Sequence, residues 1–168
     1  STVSRIMRVL RTDRLALLGL VLIILVTILA LFGPWIAPFP EQGYGETSVE
    51  NRGLAPSAVH WFGTGQLGRD ILSRVIIGTG PALTISLFVV GIAALIGVPL
   101  GAIAGYRGGW LDTVLMRVTE IFQAFPPLLL AMVTVAILGP SLTNAGIALA
   151  ISWWPWYARL VRAEARAL

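Results

Sequence analysis

Between Leu15 and Gly33 the chain reads LALLGLVLIILVTILALFG, nineteen residues without a charge. At about 1.5 Å per helical residue the run reaches about 28 Å, close to the ~30 Å hydrocarbon thickness of a bilayer. In lipid such a segment can satisfy its own backbone only as a helix or in a closed barrel. The remainder of the sequence agrees with a membrane setting. Hydrophobic residues make up 57% and charged residues 12% of the 168, against about 25% charged in an ordinary soluble domain. Mean hydropathy is +0.85. Too few polar side chains remain to coat a water-facing surface, so the chain is read as an integral membrane protein. A cleaved signal peptide would have a shorter apolar core, about 7–15 residues, and a small-x-small cleavage site. Here the exit is Gly33-Pro34-Trp35-Ile36, which reads as the far interface of an uncleaved span.

The pattern along the chain predicts an all-α, polytopic transmembrane helix bundle. Residues 1–14 read as an arginine-rich leader and 15–35 as the first transmembrane helix. Residues 36–80, punctuated by Pro38, Pro40, Gly43, Gly45 and Gly53, read as a loop. Within it, Leu67–Ile77 (LGRDILSRVII) predicts a short amphipathic helix with Arg69, Asp70 and Arg74 on its wet side. Residues 81–168 form the start of a helical core, with spans at about 81–105, 111–138 and 142–158. Gly97, Gly101 and Gly105 recur every four residues, with Ala93 one step earlier. In lipid, small residues at that spacing admit a second helix at close range, so a packing seam is expected there. Pro99 should kink its span, and Pro126 and Pro127 should do the same in the next. Trp153, Trp154, Trp156 and Tyr157 close the last span at the depth that amphipathic rings prefer.

Basic residues set the orientation. All twelve are arginine, and they lie in small groups between apolar runs, so no nucleic-acid-binding stripe forms. With the N-terminus inside, Arg5, Arg8, Arg11, Arg14, Arg107, Arg117, Arg159, Arg162 and Arg166 are cytoplasmic. Arg52, Arg69 and Arg74 are outside. Nine against three places the N-terminus in the cytoplasm and makes the 36–80 loop extracytoplasmic. About four spans then return the chain to the cytoplasm.

Little here suggests catalysis. Gly63-Thr64-Gly65-Gln66-Leu67-Gly68 fits the spacing of a dinucleotide fingerprint, but it lacks the strand–turn–helix setting that gives the fingerprint meaning. His60 is the only histidine, cysteine is absent, and without lysine there is no phosphate-binding P-loop. No catalytic, cofactor or metal residue is assigned. The charged start of the third span is the most chemical feature. At 100° per residue, Asp112, Thr113, Arg117, Glu120 and Gln123 share an arc of about 140°, with Leu111, Val114, Leu115 and Val118 opposite. Asp112, Arg117 and Glu120 read either as charges lining a pathway or as an interfacial helix start with Arg117 and Glu120 paired. Their place near the membrane boundary favours the second.

Several blocks together resemble one family. They are His60-Trp61-Phe62-Gly63-Thr64 with Leu67-Gly68-Arg69-Asp70-Ile71-Leu72-Ser73-Arg74, then Gly105 to Asp112 and Arg117 to Pro127, and finally Trp156 to Glu164. In order and spacing they resemble the C-subunit type permeases of dipeptide, oligopeptide and nickel ABC importers, the binding-protein-dependent transport inner membrane components. Gly65 departs from that pattern, which usually carries an acidic residue there. The resemblance implies six spans and a coupling helix between the fourth and fifth, so that helix and the last two spans are expected to lie outside these 168 residues. Glu164-Ala165-Arg166-Ala167-Leu168 resembles the coupling motif superficially, but by position it precedes it. Arg159, Arg162 and Glu164 then form the approach to the coupling loop. The implied role is a non-catalytic subunit of an inner-membrane importer. Its implied partners are a second homologous permease, two cytoplasmic ATPases and an extracytoplasmic solute-binding protein. The substrate, whether dipeptide, oligopeptide, nickel or another solute, is not legible. The other reading is a small independent four-span channel or assembly scaffold.

Overall fold

The computed structural model describes residues 13–167, so Arg5, Arg8 and Arg11 lie outside the described residues. Those described are helical apart from their connections and one isolated antiparallel bridge, Thr64 to Asp70. The chain divides into two compact units, 1–83 and 84–168.

The first unit begins with α1, Arg14–Ile36. Asp13 caps it, its carboxylate accepting from Leu15 N at 2.9 Å and Ala16 N at 3.3 Å. This satisfies donors that the first turn otherwise leaves bare. The helix is apolar on every side, and Leu15, Ile23 and Leu31 are all more than 60% exposed. A helix so little covered by its own chain needs lipid around it. Where α1 does meet protein, glycine allows it. A Cβ on Gly33 would lie 3.2 Å from the Ile76 carbonyl oxygen, and one on Gly80 would lie 3.3 Å from that of Ala30. Ala37, Ile76 and Ile77 close that contact with Leu29 and Leu72.

A short helix α2, Pro40–Tyr44, and a single 3-10 turn, Val49–Asn51, interrupt the loop that follows. Asp70 organises this loop. Its carboxylate accepts from Ser73 N at 2.8 Å and from Ser73 Oγ at 2.7 Å, which caps α3, Ile71–Arg107. The other carboxylate oxygen meets His60 Nδ1 at 2.9 Å, and Asp70 N donates to Gln42 Oε1 at 2.7 Å. Phe39 N donates to Ser73 Oγ, and the Phe39 ring packs on His60 with centroids 4.8 Å apart. Asp70 and Ser73 are essentially inaccessible.

One expectation changes here. The amphipathic helix foreseen at Leu67–Ile77 and the span foreseen at 81–105 are a single 37-residue helix, α3, which starts only at Ile71. Asp70 fixes that start as its cap. Gly78, Gly80 and Pro81 do not stop the helix, because neighbouring groups in a membrane helix can take up the backbone partners that proline removes. α3 also runs unbroken through Pro99.

The second unit holds the remainder of α3, then α4 (Gly109–Ala124), α5 (Pro127–Leu138) and α6 (Leu142–Ala167). Gly108 and Gly109 both have positive φ, 62° and 61°, and turn α3 into α4. The segment expected as one span at 111–138 is bent by 82° between α4 and α5. Phe125 and Pro126 are extended there, because the residue before a proline is driven out of the helical region. Among the described residues two helices, α1 and α3, are long and apolar enough to cross a membrane, and α4 with α5 makes a third if the bent pair counts as one span. The fourth expected span, 142–158, is helical within α6. It falls short of that measure because three tryptophans, Pro155, Tyr157 and three arginines replace aliphatic residues beyond Ser152.

Burial pushes the Asp70 carboxyl up, but the Ser73 N–H, the Ser73 hydroxyl and His60 together hold it below the ordinary carboxylate range. A lowered native value means that Asp70 adds stability above its unfolded value of about 3.9, and that this is lost as pH falls through the native value. Loop 37–70 should therefore stay protease-resistant between about pH 5 and 8 and open only below about pH 4. Asp70→Asn should open it at neutral pH, costing about 1–3 kcal/mol. Equal cleavage of both proteins at neutral pH would refute the role of Asp70.

Candidate functional site

Helix α6 is held by α3 along its glycine row. A Cβ on Gly97 would lie 2.5 Å from the Trp154 carbonyl oxygen and 2.6 Å from Tyr157 Cβ. One on Gly101 would enter the Ala158 peptide, 3.0 Å from its Cα, and one on Gly105 would meet Ala165 Cβ at 2.6 Å. All three positions leave room for hydrogen only. The small residues Ala93 and Ala158 are wholly buried beside Trp154, with Leu100, Phe122 and Tyr157 packed around them. Phe122 meets Trp154 edge-on, 5.4 Å between centroids.

The second attachment is ionic. Asp112, 4% exposed, lies in the first turn of α4 and receives both Arg162 and Arg166 of α6. Arg162 donates from Nε to one carboxylate oxygen and from Nη2 to the other, the latter at 2.7 Å, and Arg166 adds a third bond. The two arginines are one turn apart and so share a face. The fork of Arg162 matches the carboxylate edge, an arrangement about twice as strong as a neutral hydrogen bond. Gln123 extends the contact, accepting from Arg159 Nη1 at 2.7 Å.

Of the two readings of Asp112, Arg117 and Glu120, the geometry agrees with the favoured one for Arg117 and Glu120, which pair with each other, and sets Asp112 apart from them. Asp112 and Arg117 stand at opposite edges of the 140° arc. Asp112, Met116 and Thr119 are buried on one side of α4. Arg117 and Glu120 are exposed and pair with each other at 3.0 Å. Of the residues before the expected coupling loop, Arg162 belongs to the Asp112 clamp and Arg159 to Gln123. Glu164 is exposed and makes no ion pair among the described residues. Arg166 and Ala158 were not singled out from sequence. An i, i+4 arginine pair and a small residue opposite a glycine row were the available signals.

A cleft of about 320 Å³ opens between α3 and α6, lined by Ile85, Val89, Ala93, Leu149, Trp153 and Tyr157 among others. It is apolar and suits a hydrocarbon group. No chemistry is set up at His60, because His60 and Ser73 both bond to Asp70 and not to each other, so the ring cannot take the hydroxyl proton. Among the described residues no group of three His, Cys, Asp or Glu side chains could hold a metal ion.

The class defined by these features is a polytopic membrane protein of packed helices, with its polar contacts concentrated at helix ends. Residues 97–167 match the family described as binding-protein-dependent transport system inner membrane component. Residues 1–56 match the N-terminal TM domain of oligopeptide transport permease C. The dipeptide transport system permease protein DppC of Alkalihalophilus pseudofirmus is 44% identical over 155 residues, 92% of this chain and 50% of the relative. The probable D,D-dipeptide transport system permease protein DdpC of Escherichia coli K12 is 40% identical over 162 residues, 96% and 53% of the two chains. The glutathione transport system permease protein GsiD of Escherichia coli O157:H7 is 42% identical over 155 residues, 92% and 50%. Over these two segments the chain is similar to binding-protein-dependent transport inner membrane components and to oligopeptide transport permease C. It spans about half the length of the curated relatives it matches.

If the Asp112 clamp holds α4 to α6, its members should differ in weight. Asp112→Asn and Arg162→Gln should each destabilise the detergent-solubilised protein by about 2–3 kcal/mol, because each strips a charge-assisted fork. Arg166→Gln should cost less, since Arg162 keeps both carboxylate oxygens occupied. Thermal unfolding of the single variants and of the Asp112/Arg162 double variant checks this. Additive effects in that cycle would show that the pair is uncoupled.

Proposed function

We propose that the chain forms part of the permease subunit of an ATP-driven importer and contributes to the path that a peptide or related small solute takes across the inner membrane. The two family matches carry this reading, and the named relatives, permeases for dipeptides, D,D-dipeptides and glutathione, point to a peptide-like substrate. The arginine distribution supports a cytoplasmic N-terminus and an extracytoplasmic 37–70 loop, with α6 as a fourth span. The partners are a second permease, two cytoplasmic ATPases and an extracytoplasmic solute-binding protein. ATP hydrolysis takes place in the ATPases.

In this reading α6 carries force. Its arginine-rich end approaches the segment that would meet the ATPases. There the Gly97, Gly101 and Gly105 row and the Asp112 clamp tie it to α3 and α4. A displacement applied beyond Arg166 would then move all three helices together, while Pro99 and the Pro126-Pro127 bend would provide the points of flexure.

Affinity purification of the full-length protein from detergent-solubilised membranes, followed by mass spectrometry, tests the assembly. Recovery of a second permease and two ATPases is expected, and recovery of the protein alone would overturn the importer reading. Gly101→Leu should abolish uptake and weaken assembly, since nothing larger than hydrogen fits against Ala158. Unchanged uptake and assembly would remove the seam from the mechanism.

A further inference from the structure

Two arginines of the first unit border a pocket that holds no counter-charge. It measures about 320 Å³ and is lined by Gly65, Gln66, Leu67, Arg69 and Arg74. Arg69 Nε is buried without a hydrogen-bond acceptor, and the same guanidinium passes Gly45, where a Cβ would lie 3.7 Å from Nη2, whereas buried donors in folded proteins nearly always have an acceptor. Neither Arg69 nor Arg74 belongs to an ion pair of the described residues, which join His60 to Asp70, Arg117 to Glu120, and Asp112 to Arg162 and Arg166. The loop's own acids, Glu41, Glu46 and Glu50, are exposed and join none of them. Arg52 is used differently. Its Nε donates to the Gln66 carbonyl oxygen at 2.6 Å and fixes the turn that walls the pocket.

Gly65 keeps the pocket open. A Cβ there would sit 3.8 Å from Arg74 Nη1 and 3.8 Å from the Arg69 carbonyl oxygen, both ordinary contacts. Gly65 is also absent from the positive-φ glycines, so its backbone accepts any residue. An acidic side chain at this position would start 3.8 Å from Arg74 Nη1, within reach of that guanidinium. This chain has a hydrogen atom instead. The guanidinium groups therefore lack the planar, bidentate acceptor that suits them best, a carboxylate.

The geometry points to a carboxylate-binding site between Arg69 and Arg74, completed from outside the chain by a soluble acid such as a peptide C-terminus or by an acidic side chain of a partner protein. The site itself stands on the loop geometry, and only the binding protein used as a competitor below rests on the proposed function.

Saturation-transfer NMR on the purified full-length protein in detergent, with acetate as the probe at constant ionic strength, tests it. Acetate should bind the parent protein and bind about tenfold more weakly to Arg74→Gln, the loss of one charge-assisted partner. Gly65→Asp should block acetate as well, by supplying the carboxylate internally. That variant removes no contact, so it stays informative if Arg74→Gln disturbs folding. Absence of binding to the parent, or binding equal in Gly65→Asp, overturns the site. A dipeptide that displaces acetate where its C-terminal amide does not would identify a soluble acid as the occupant. Displacement by the cargo-free extracytoplasmic binding protein would identify a protein side chain. Displacement by neither would reduce the pocket to a binder of acetate at high concentration and overturn its biological role.

Discussion

Lipid removes the force that assembles soluble proteins. Apolar side chains gain nothing by leaving hydrocarbon for one another, so helices in a bilayer associate through close packing and polar contacts. α6 uses both. Gly97, Gly101 and Gly105 bring the α3 backbone against Trp154, Ala158 and Arg162, close enough for many small dispersion contacts to accumulate. The Asp112 carboxylate, cut off from solvent, binds two guanidinium groups from the same helix. The arrangement of the second unit follows from these two attachments. They are also complementary in range, since packing fixes how closely α6 approaches α3 and the ion pair fixes its rotation and register against α4.

The seam was readable in advance because glycine at i, i+4, i+8 has few uses on an apolar helix other than close approach. The Asp112 clamp was only half readable. Helical spacing put Asp112, Arg117 and Glu120 on one arc, but an arc of 140° has two edges. The edge occupied by Asp112, Met116 and Thr119 is buried, whereas the one occupied by Arg117 stays wet. Deciding between those edges needs the partner helix, and the pairing with Arg162 spans fifty positions of sequence. Periodicity within one element carries no information at that separation.

Boundaries failed for a related reason. Gly78, Gly80 and Pro81 are breakers by their intrinsic preference, and they lie where the expected amphipathic helix gives way to the expected span. The helix continues through them, as membrane helices can where other groups re-satisfy the backbone. Its start moved to Ile71 because the Asp70 carboxylate caps it, accepting from both the amide and the hydroxyl of Ser73, an Asp–Ser pair at three-residue spacing that is visible in the sequence once the loop is known to end there. His60 stood out in the sequence only as the single histidine. Its anchoring to Asp70 across ten residues depends on a loop fold that local pattern does not encode.

Asp70 and Arg69 are neighbours with opposite fates, and the contrast explains how the loop can be both rigid and incomplete. Asp70 is engaged within the loop: two bonds from Ser73 and one contact with His60 orient its carboxylate, and its amide is held by Gln42. No ion pair joins it to the adjacent guanidinium of Arg69. With Gly65 offering no side chain and the nearby glutamates turned to solvent, the positive charge of Arg69 and Arg74 is left unmatched by a well-ordered frame. A frame that is already ordered loses little further entropy when an acceptor arrives, so even a single carboxylate can bind there at low cost.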